Sequence, residues 1–158
     1  MSVARKPSLR KPAERKARDE EPRLGMLVKR AEQAMLRAKS AALKLVGLTP
    51  AQYVALVELD LQPGITAATL ARACLVTPQA MMILLKSMES QGLISRSAHP
   101  RHPNVLELHM TDVGQEALAA ARQRVDPIEA RVFGAYSAKE LVAFRDLLAR
   151  FIEAFDGA

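Results

Sequence analysis

Residues 75–94 read LVTPQAMMILLKSMESQGLI, and this stretch decides the fold. The hydroxyl of Thr77 can cap the first turn of a helix. Pro78 follows at the first helical position, where a backbone N–H would have no hydrogen-bond partner within the helix, so its absence in proline costs nothing. Gly92 can adopt the left-handed conformation that ends a helix. The sequence therefore predicts a helix that is capped at both ends.

The two sides of this predicted helix differ in what they can contact. One apolar stripe recurs at helical spacing and consists of Met81, Leu84, Leu85 and Met88. The other side is formed by Gln79, Ala80, Met82, Ile83 and Lys86. Two interpretations follow: the helix is buried on all sides, or its outer side docks on a partner. The flanking sequence is needed to choose between them.

The chain before residue 77 has the layout of a helix-turn-helix. A capping box, Thr-Pro-Ala-Gln at 49–52, opens a helix that runs to about residue 61. A turn and one extended residue, Ile65, lead to a short helix over residues 67–73. A tight turn at 74–76 then reaches the central helix, which completes the motif.

The apolar pattern after Gly92 changes to the alternation that is typical of strands. Two strands are predicted, at 94–98 and 105–110, with Leu106, Leu108 and Met110 on one face of the second. The tip between them, HPRHPN at 99–104, is polar and basic. A helix-turn-helix followed directly by such a hairpin predicts a winged helix.

The ends of the chain are predicted to be helical, apart from a tail. Residues 1–22 lack apolar periodicity and are expected to be a disordered basic tail, more simply a solvated segment than an arm that contacts phosphates. The expected fold is mainly α with a small β-hairpin, a winged helix-turn-helix with terminal dimerisation helices. Its segments are a helix at 23–47, the DNA-binding domain at 48–111 and further helices at 112–156. Pro127 should kink or break the first of those last helices, which is expected to extend to about residue 136.

Composition narrows the class of protein. The 158 residues fit one domain with a tail, and the net charge of +6 is concentrated in the first third, since residues 1–23 and 24–48 each carry +4. We expect a cytoplasmic protein, because Cys74 is the single cysteine and no apolar run reaches the length of a membrane span. Catalytic motifs are missing, so enzyme activity is not expected. Cys74 has two interpretations, a redox switch or plain core filler, and the second is favoured.

The order of these motifs resembles the MarR family of transcriptional regulators over residues 24–156. The resemblance is carried by LTPAQY at 48–53, TPQ at 77–79, the stretch at 84–94 that ends in MESQGLI, Arg96, and LHMTDVG at 108–114. It implies a homodimer whose first and last helices form the interface. It also implies a helix in the major groove of double-stranded DNA, a wing in the minor groove, and release by a small effector, often an aromatic acid. The family's wing usually carries an Asp that orients an Arg, whereas the tip here has no Asp, so the flanking prolines are the candidates for positioning Arg101.

The candidate DNA contacts follow from the two elements that would enter the grooves. Gln79 can pair with adenine, the apolar side chains can contact thymine methyl groups, and Lys86 suits a phosphate. Arg101 in a narrow minor groove is the strongest candidate of the wing. The full set is Thr77, Pro78, Gln79, Ala80, Met82, Ile83, Lys86, Arg96, His99, Arg101, His102 and Asn104. Neither a metal nor a cofactor is predicted, since cysteines and carboxylates do not accompany the histidines of the tip.

The terminal helices carry more apolar residues than one chain can cover, which favours burial in a second copy over a monomeric helical cap. The candidate dimer residues are Leu24, Leu27, Phe133, Tyr136, Leu148, Phe151 and Phe155. Together with the resemblance, these helices predict a dimeric repressor that prefers a pseudo-palindromic operator. The alternative is an architectural or protein-interaction module without a specific operator, which the apolar face of Met82 and Ile83 would also suit.

Overall fold

The structure, a computed structural model, describes the backbone of residues 12–156. Six helices and a two-stranded antiparallel sheet occur in this part of the chain, which confirms the predicted fold class. The elements are α1 (Pro12–Lys44), α2 (Pro50–Leu61), α3 (Ala67–Ala73), α4 (Pro78–Ser90), β1 (Ile94–His99), β2 (His102–Met110), α5 (Asp112–Phe133) and α6 (Ala138–Asp156). Contacts divide the chain into two units that meet within α1, after Arg37, and each is described by itself.

The predicted helix starts agree with the structure because each depends on a local cap. Thr49, Thr66 and Thr77 have extended backbones, and each hydroxyl accepts a hydrogen bond from the amide three residues later. Gln52 completes the capping box by accepting from the amide of Thr49 at 2.9 Å. Gly92 ends α4 with a φ of +70°, a conformation that side-chain-bearing residues rarely adopt. These caps fix the length and the direction of α4.

The two strands of the wing are longer than predicted, and the turn between them is shorter. β1 reaches His99 and β2 begins at His102, so Pro100 and Arg101 alone form the turn, and residues expected in a loop are paired. The prediction missed this pairing because prolines at both ends of the tip argued against strand structure. The amide of Leu108 donates to the carbonyl of Ile65 and the amide of Gly64 donates to the carbonyl of Leu108, each at 3.0 Å, so the segment before α3 is attached to β2.

One apolar core extends past the predicted limits of the DNA-binding domain. Leu43 at the end of α1 and Leu118, Ala121 and Val125 on α5 are at most 2% exposed and belong to the same cluster as the helix-turn-helix residues. The other members are Leu48, Ala55, Leu56, Leu59, Leu70, Ala71, Met81, Leu85, Met88, Leu93, Ile94 and Leu108. Leu106 is 51% exposed, because the hairpin projects beyond this core.

Two helices differ from the prediction. The first begins at Pro12, so residues 12–22 are helical and the expected disordered tail is wrong for them. Their Ala, Glu, Lys and Arg residues favour helix without an apolar stripe, which explains the error. Residues 1–11 lie outside the described part.

The helix after the wing, α5, ends at Phe133, not at about residue 136, and is continuous through Pro127, which is exposed on its surface. The proline ring and the carbonyl that it leaves unpaired can therefore face water, and the helix survives.

The last helix presents an uncovered apolar face in the single chain. A second capping box holds its start, since the amide of Ser137 donates to the Glu140 carboxylate and the amide of Glu140 donates to the Ser137 hydroxyl. The exposed large residues of this face are Phe144, Leu147, Ile152 and Phe155, while Val142 is exposed on the opposite side of the helix. Among the described residues no single helix is long and apolar enough to cross a membrane, although α3 and α4, bent by 109°, reach that length and composition together.

Candidate nucleic-acid interface

The outer side of α4 is open to solvent. Met82 is 47% exposed and Ile83 is 73% exposed, whereas Met81, Leu85 and Met88 on the inner side are buried. The interpretation in which α4 is buried on all sides is therefore wrong for the single chain. The remaining predicted residues of this helix, Thr77, Pro78, Gln79, Ala80 and Lys86, are all exposed. The structure thus brings the predicted groove residues together on one accessible face.

The polar residues of this face are free to bind. Within the described part of the chain, the side chains of Gln79 and Lys86 have no hydrogen-bond or ion-pair partner. The amide of Ala80 donates to the Thr77 hydroxyl at 3.2 Å, which satisfies one of the first amides of the helix. The remaining amides at this end carry partial positive charge, which favours a nearby phosphate. The face therefore combines one amide side chain, one cation and an apolar centre.

The wing tip is organised by a histidine. The Nδ1 atom of His99 accepts hydrogen bonds from the backbone amides of Arg101, at 3.0 Å, and His102, at 3.1 Å. The Arg101 side chain is exposed at the end of this turn, and Asn104 is exposed further along β2. The rings of His99 and His102 lie 5.0 Å apart. His99 was predicted as a DNA contact, but half of its imidazole is engaged within the wing.

Arg96 is also engaged within the chain. Its Nη2 donates to Oε2 of Glu89 on α4 at 3.0 Å. Its Nε lies 2.7 Å from Oε1 of the same carboxylate without forming a hydrogen bond to it, so the two groups are joined by the Nη2 bond and by their charges. The Arg96 side chain is 23% exposed. This arrangement connects the wing to the recognition helix and gives no support to the predicted contact between Arg96 and DNA.

A cleft opens beside the winged domain, where α2 ends and α5 begins. It has a volume of about 480 Å³ and is lined by Asp60, Met110, Gln115, Leu118, Ala119 and Arg122. Nη2 of Arg122 donates to Asp60 at 2.7 Å, and both side chains are 41% exposed. A cation at the wall of a partly apolar cleft can receive an acidic small molecule, provided that the acid competes with Asp60.

Two further candidate sites are Cys74, as a redox switch, and the histidines of the wing tip, as metal ligands. Burial, together with the charge of Glu58, raises the pKa of the Cys74 thiol, which disfavours the reactive thiolate. Among the described residues, no three His, Cys, Asp or Glu side chains are arranged to hold a metal ion.

The candidate dimer residues lie on the terminal helices and are accessible in the single chain. Leu24 and Leu27 on α1 are 51% and 55% exposed. Phe133 and Tyr136, at and after the end of α5, are 46% and 55% exposed. On α6, Leu148 and Phe151 are partly buried and Phe155 is 69% exposed. The rings of Phe151 and Phe155 are 5.1 Å apart, so they form a small aromatic group on this helix.

Sequence reasoning missed the residues that position the others. Glu89 is seven residues from Arg96 and on a different element, so no local pattern pairs them. The pair of Asp60 and Arg122 joins α2 to α5 across 62 positions and has no signal in the sequence either. The role of His99 did have a signal, because a side-chain acceptor directly before a tight turn commonly binds the amides two and three residues later.

Comparison with known proteins agrees with this geometry. The model of the MarR family matches residues 46–102. The HTH-type transcriptional repressor Rv2887 of Mycobacterium tuberculosis is 34% identical over 125 residues, which are 79% of this chain and 90% of the relative. Its structure with p-aminosalicylic acid, at 33% identity, has a TM-score of 0.63 over 81% of this chain and 97% of that chain.

Two further structures are similar. CouR from Rhodococcus jostii RHA1, bound to p-coumaroyl-CoA, is 26% identical, with a TM-score of 0.74 over 79% of this chain and 88% of that one. A mutant of MarR from Escherichia coli in complex with operator DNA has a TM-score of 0.76 over 84% of this chain and 95% of that chain. Its identity is 22%, so this last likeness concerns the fold.

The capped exposed helix and the adjacent wing define a winged helix-turn-helix protein of the class that regulates transcription. With a curated relative 34% identical over most of both chains, this protein belongs to the MarR family of regulators.

Proposed function

We propose that this protein is a homodimeric transcriptional repressor that binds a pseudo-palindromic operator through α4 and the wing of each subunit. The observation that carries the proposal is the outer face of α4, where Gln79, Ile83 and Lys86 are exposed and have no role inside the described chain. A helix of this kind fits the major groove, and the wing tip then reaches the neighbouring minor groove. The relative Rv2887 is a repressor, which supports repression over activation.

The composition of the face determines how it reads a sequence. Gln79 is the one residue of the exposed set on α4 that can form two hydrogen bonds with an adenine. Met82 and Ile83 suit thymine methyl groups, and Lys86 suits a phosphate. Because few base-reading hydrogen bonds are available, specificity depends strongly on the minor-groove contact of Arg101 and on the spacing of the two half-sites.

Gln79→Ala and Arg101→Ala should affect binding in different ways. We expect Gln79→Ala to remove preference at one base pair of each half-site, at a cost of about 1–3 kcal/mol for the preferred base. Arg101→Ala should weaken all variants at the major-groove positions by the same factor, remove the preference for a narrow minor groove and reduce the dependence of binding on salt. Both residues are exposed, so folding should be unaffected. Titration of a panel of single-base operator variants at two salt concentrations measures both effects. An equal loss on every variant for both mutants would contradict the division of roles.

The effector of this repressor is, in our proposal, an aromatic acid that binds in the cleft beside Arg122. The solved relatives contain p-aminosalicylic acid and p-coumaroyl-CoA, and both ligands carry an aromatic ring and negative charge. Arg122 supplies the cation, while Met110 and Leu118 supply apolar walls. The cleft lies where β2 of the wing meets α5, so an occupant can alter the angle between the wing and the helices that follow it.

Operator release by p-aminosalicylic acid tests this assignment. We expect the acid to weaken operator binding and the corresponding carboxamide to have no effect, since Arg122 selects the charge. Arg122→Gln should raise the required concentration about tenfold, the factor of a charge-assisted hydrogen bond. Asp60→Asn should lower it, because Asp60 no longer competes for the guanidinium. Equal release of the wild-type protein and Arg122→Gln would place the effector elsewhere.

A further inference from the structure

The turn of the wing has an internal support that depends on one ring nitrogen. Nδ1 of His99 accepts from the amides of Arg101 and His102, so it holds the backbone on both sides of the Arg101 side chain. A neutral imidazole can accept at one nitrogen, and its proton is then on Nε2. The register of the strand pairing shifts between Ala98, which lies opposite Leu106, and His99, which lies opposite His102.

The other side of the same ring faces the body of the wing. Nε2 of His99 lies 3.6 Å from Oε1 of Glu107, and Oε2 of Glu107 lies 3.3 Å from Nε2 of His109. Behind this row is Gly64, where an added Cβ would lie 3.5 Å from the carboxyl carbon of Glu107 and 3.5 Å from the His109 ring. Glu107 is 18% exposed. The Nε2 side of the ring that supports the turn therefore lies beside the Glu107 carboxylate.

We infer that His99 is the positioning residue that directs Arg101 toward DNA, an inference that rests on the proposed role of Arg101 in the minor groove. The two amide bonds fix the backbone of the turn and thereby the direction in which the Arg101 side chain leaves it. The flanking prolines, which the sequence suggested for this task, restrict the backbone but cannot bond to those amides. His99 thus acts through Arg101 and not as a direct DNA contact.

Two substitutions separate the acceptor from the bulk of the ring. Asn at this position retains an acceptor for amides two and three residues later, because Asn commonly closes turns in this way. Leu has similar bulk and no acceptor. We expect His99→Leu to weaken operator binding about tenfold and His99→Asn to stay within about threefold of the wild-type protein. The double mutant His99→Leu/Arg101→Ala should bind as Arg101→Ala does, because the support has no effect without the side chain that it directs.

Amide hydrogen exchange in the free protein tests the support without DNA. The amides of Arg101 and His102 should exchange more slowly in the wild-type protein and in His99→Asn than in His99→Leu. If the two amides exchange slowly in the wild-type protein but Arg101→Ala binds the operator with wild-type affinity, then His99 does support the turn and the proposed contact between Arg101 and DNA is wrong. Additive losses in the double mutant, or equal losses for His99→Asn and His99→Leu, would overturn the inference and favour direct contact between His99 and DNA. Equal exchange in all three proteins would overturn it as well.

Discussion

Phe155→Asp should convert the protein to a monomer and lower its operator affinity by about 100-fold or more. Phe155 is 69% exposed in the single chain, so the substitution removes little more than the contact with the Phe151 ring and should leave the fold of each subunit intact. In a dimer the same side chain would be covered, and a carboxylate there would be buried without a partner. Once the subunits separate, each half-site is bound alone, and the gain of roughly 10²- to 10⁴-fold from linked binding is lost.

Leu61→Asp is the matched control for this experiment. Leu61 is 67% exposed and lies at the end of α2, outside the candidate dimer residues. Analytical ultracentrifugation should show a monomer for Phe155→Asp and a dimer for Leu61→Asp at the same concentration, with operator titrations following the same division. A dimeric Phe155→Asp with wild-type affinity would contradict the assignment of the apolar face of α6 to the subunit interface.

Ile83→Glu should abolish operator binding without unfolding the protein. Ile83 is 73% exposed at the centre of the outer face of α4, so a glutamate is tolerated by the free protein. In the complex, its charge would face phosphates and base acceptors, and such like-charge contacts cost several kcal/mol. Two copies act in a dimer, and we expect a loss of about 100-fold or more in affinity.

Two further variants separate the causes of this loss. Ile83→Gln has nearly the size of the glutamate without its charge, and it should lose about tenfold, the part that is due to apolar contact with thymine methyl groups. Val113→Glu places the same charge on another exposed apolar residue, 53% accessible at the start of α5, and should bind as the wild-type protein does. Operator binding by Ile83→Glu with wild-type affinity would contradict the placement of the outer face of α4 against the DNA.

The parts of the fold that follow local rules were predictable from the sequence. The threonines at 49 and 77 marked two helix starts, and the end of α4 was marked by Gly92, which has a positive φ in the structure. The hairpin was recognised by its change of period, but its turn was placed too broadly because the two prolines outweighed strand pairing across the tip. The helical structure of residues 12–22 was not predicted, because helix propensity without an apolar stripe gives a weak signal.

The exposed residues of the candidate site could be predicted from the sequence, whereas the ion pairs that join the surrounding elements could not. The exposed face of α4 followed from helical periodicity, because the buried stripe of Met81, Leu85 and Met88 determines which residues point outward. The link between Arg96 and Glu89 needed the packing of the wing against α4, which no local pattern contains. The same holds for Arg122 and Asp60, which are brought together by the core shared between α2 and α5.

Selection of bound sequences from a random DNA pool tests sequence-preferring binding by a dimer, because it assumes neither an operator nor an effector. We expect enrichment of a pseudo-palindrome whose half-sites are separated by about one helical turn, with an A·T-rich minor groove where Arg101 would lie. The enrichment should disappear with Ile83→Glu. A pool that stays random after repeated rounds, although the protein retains DNA, would contradict sequence-preferring binding by a dimer.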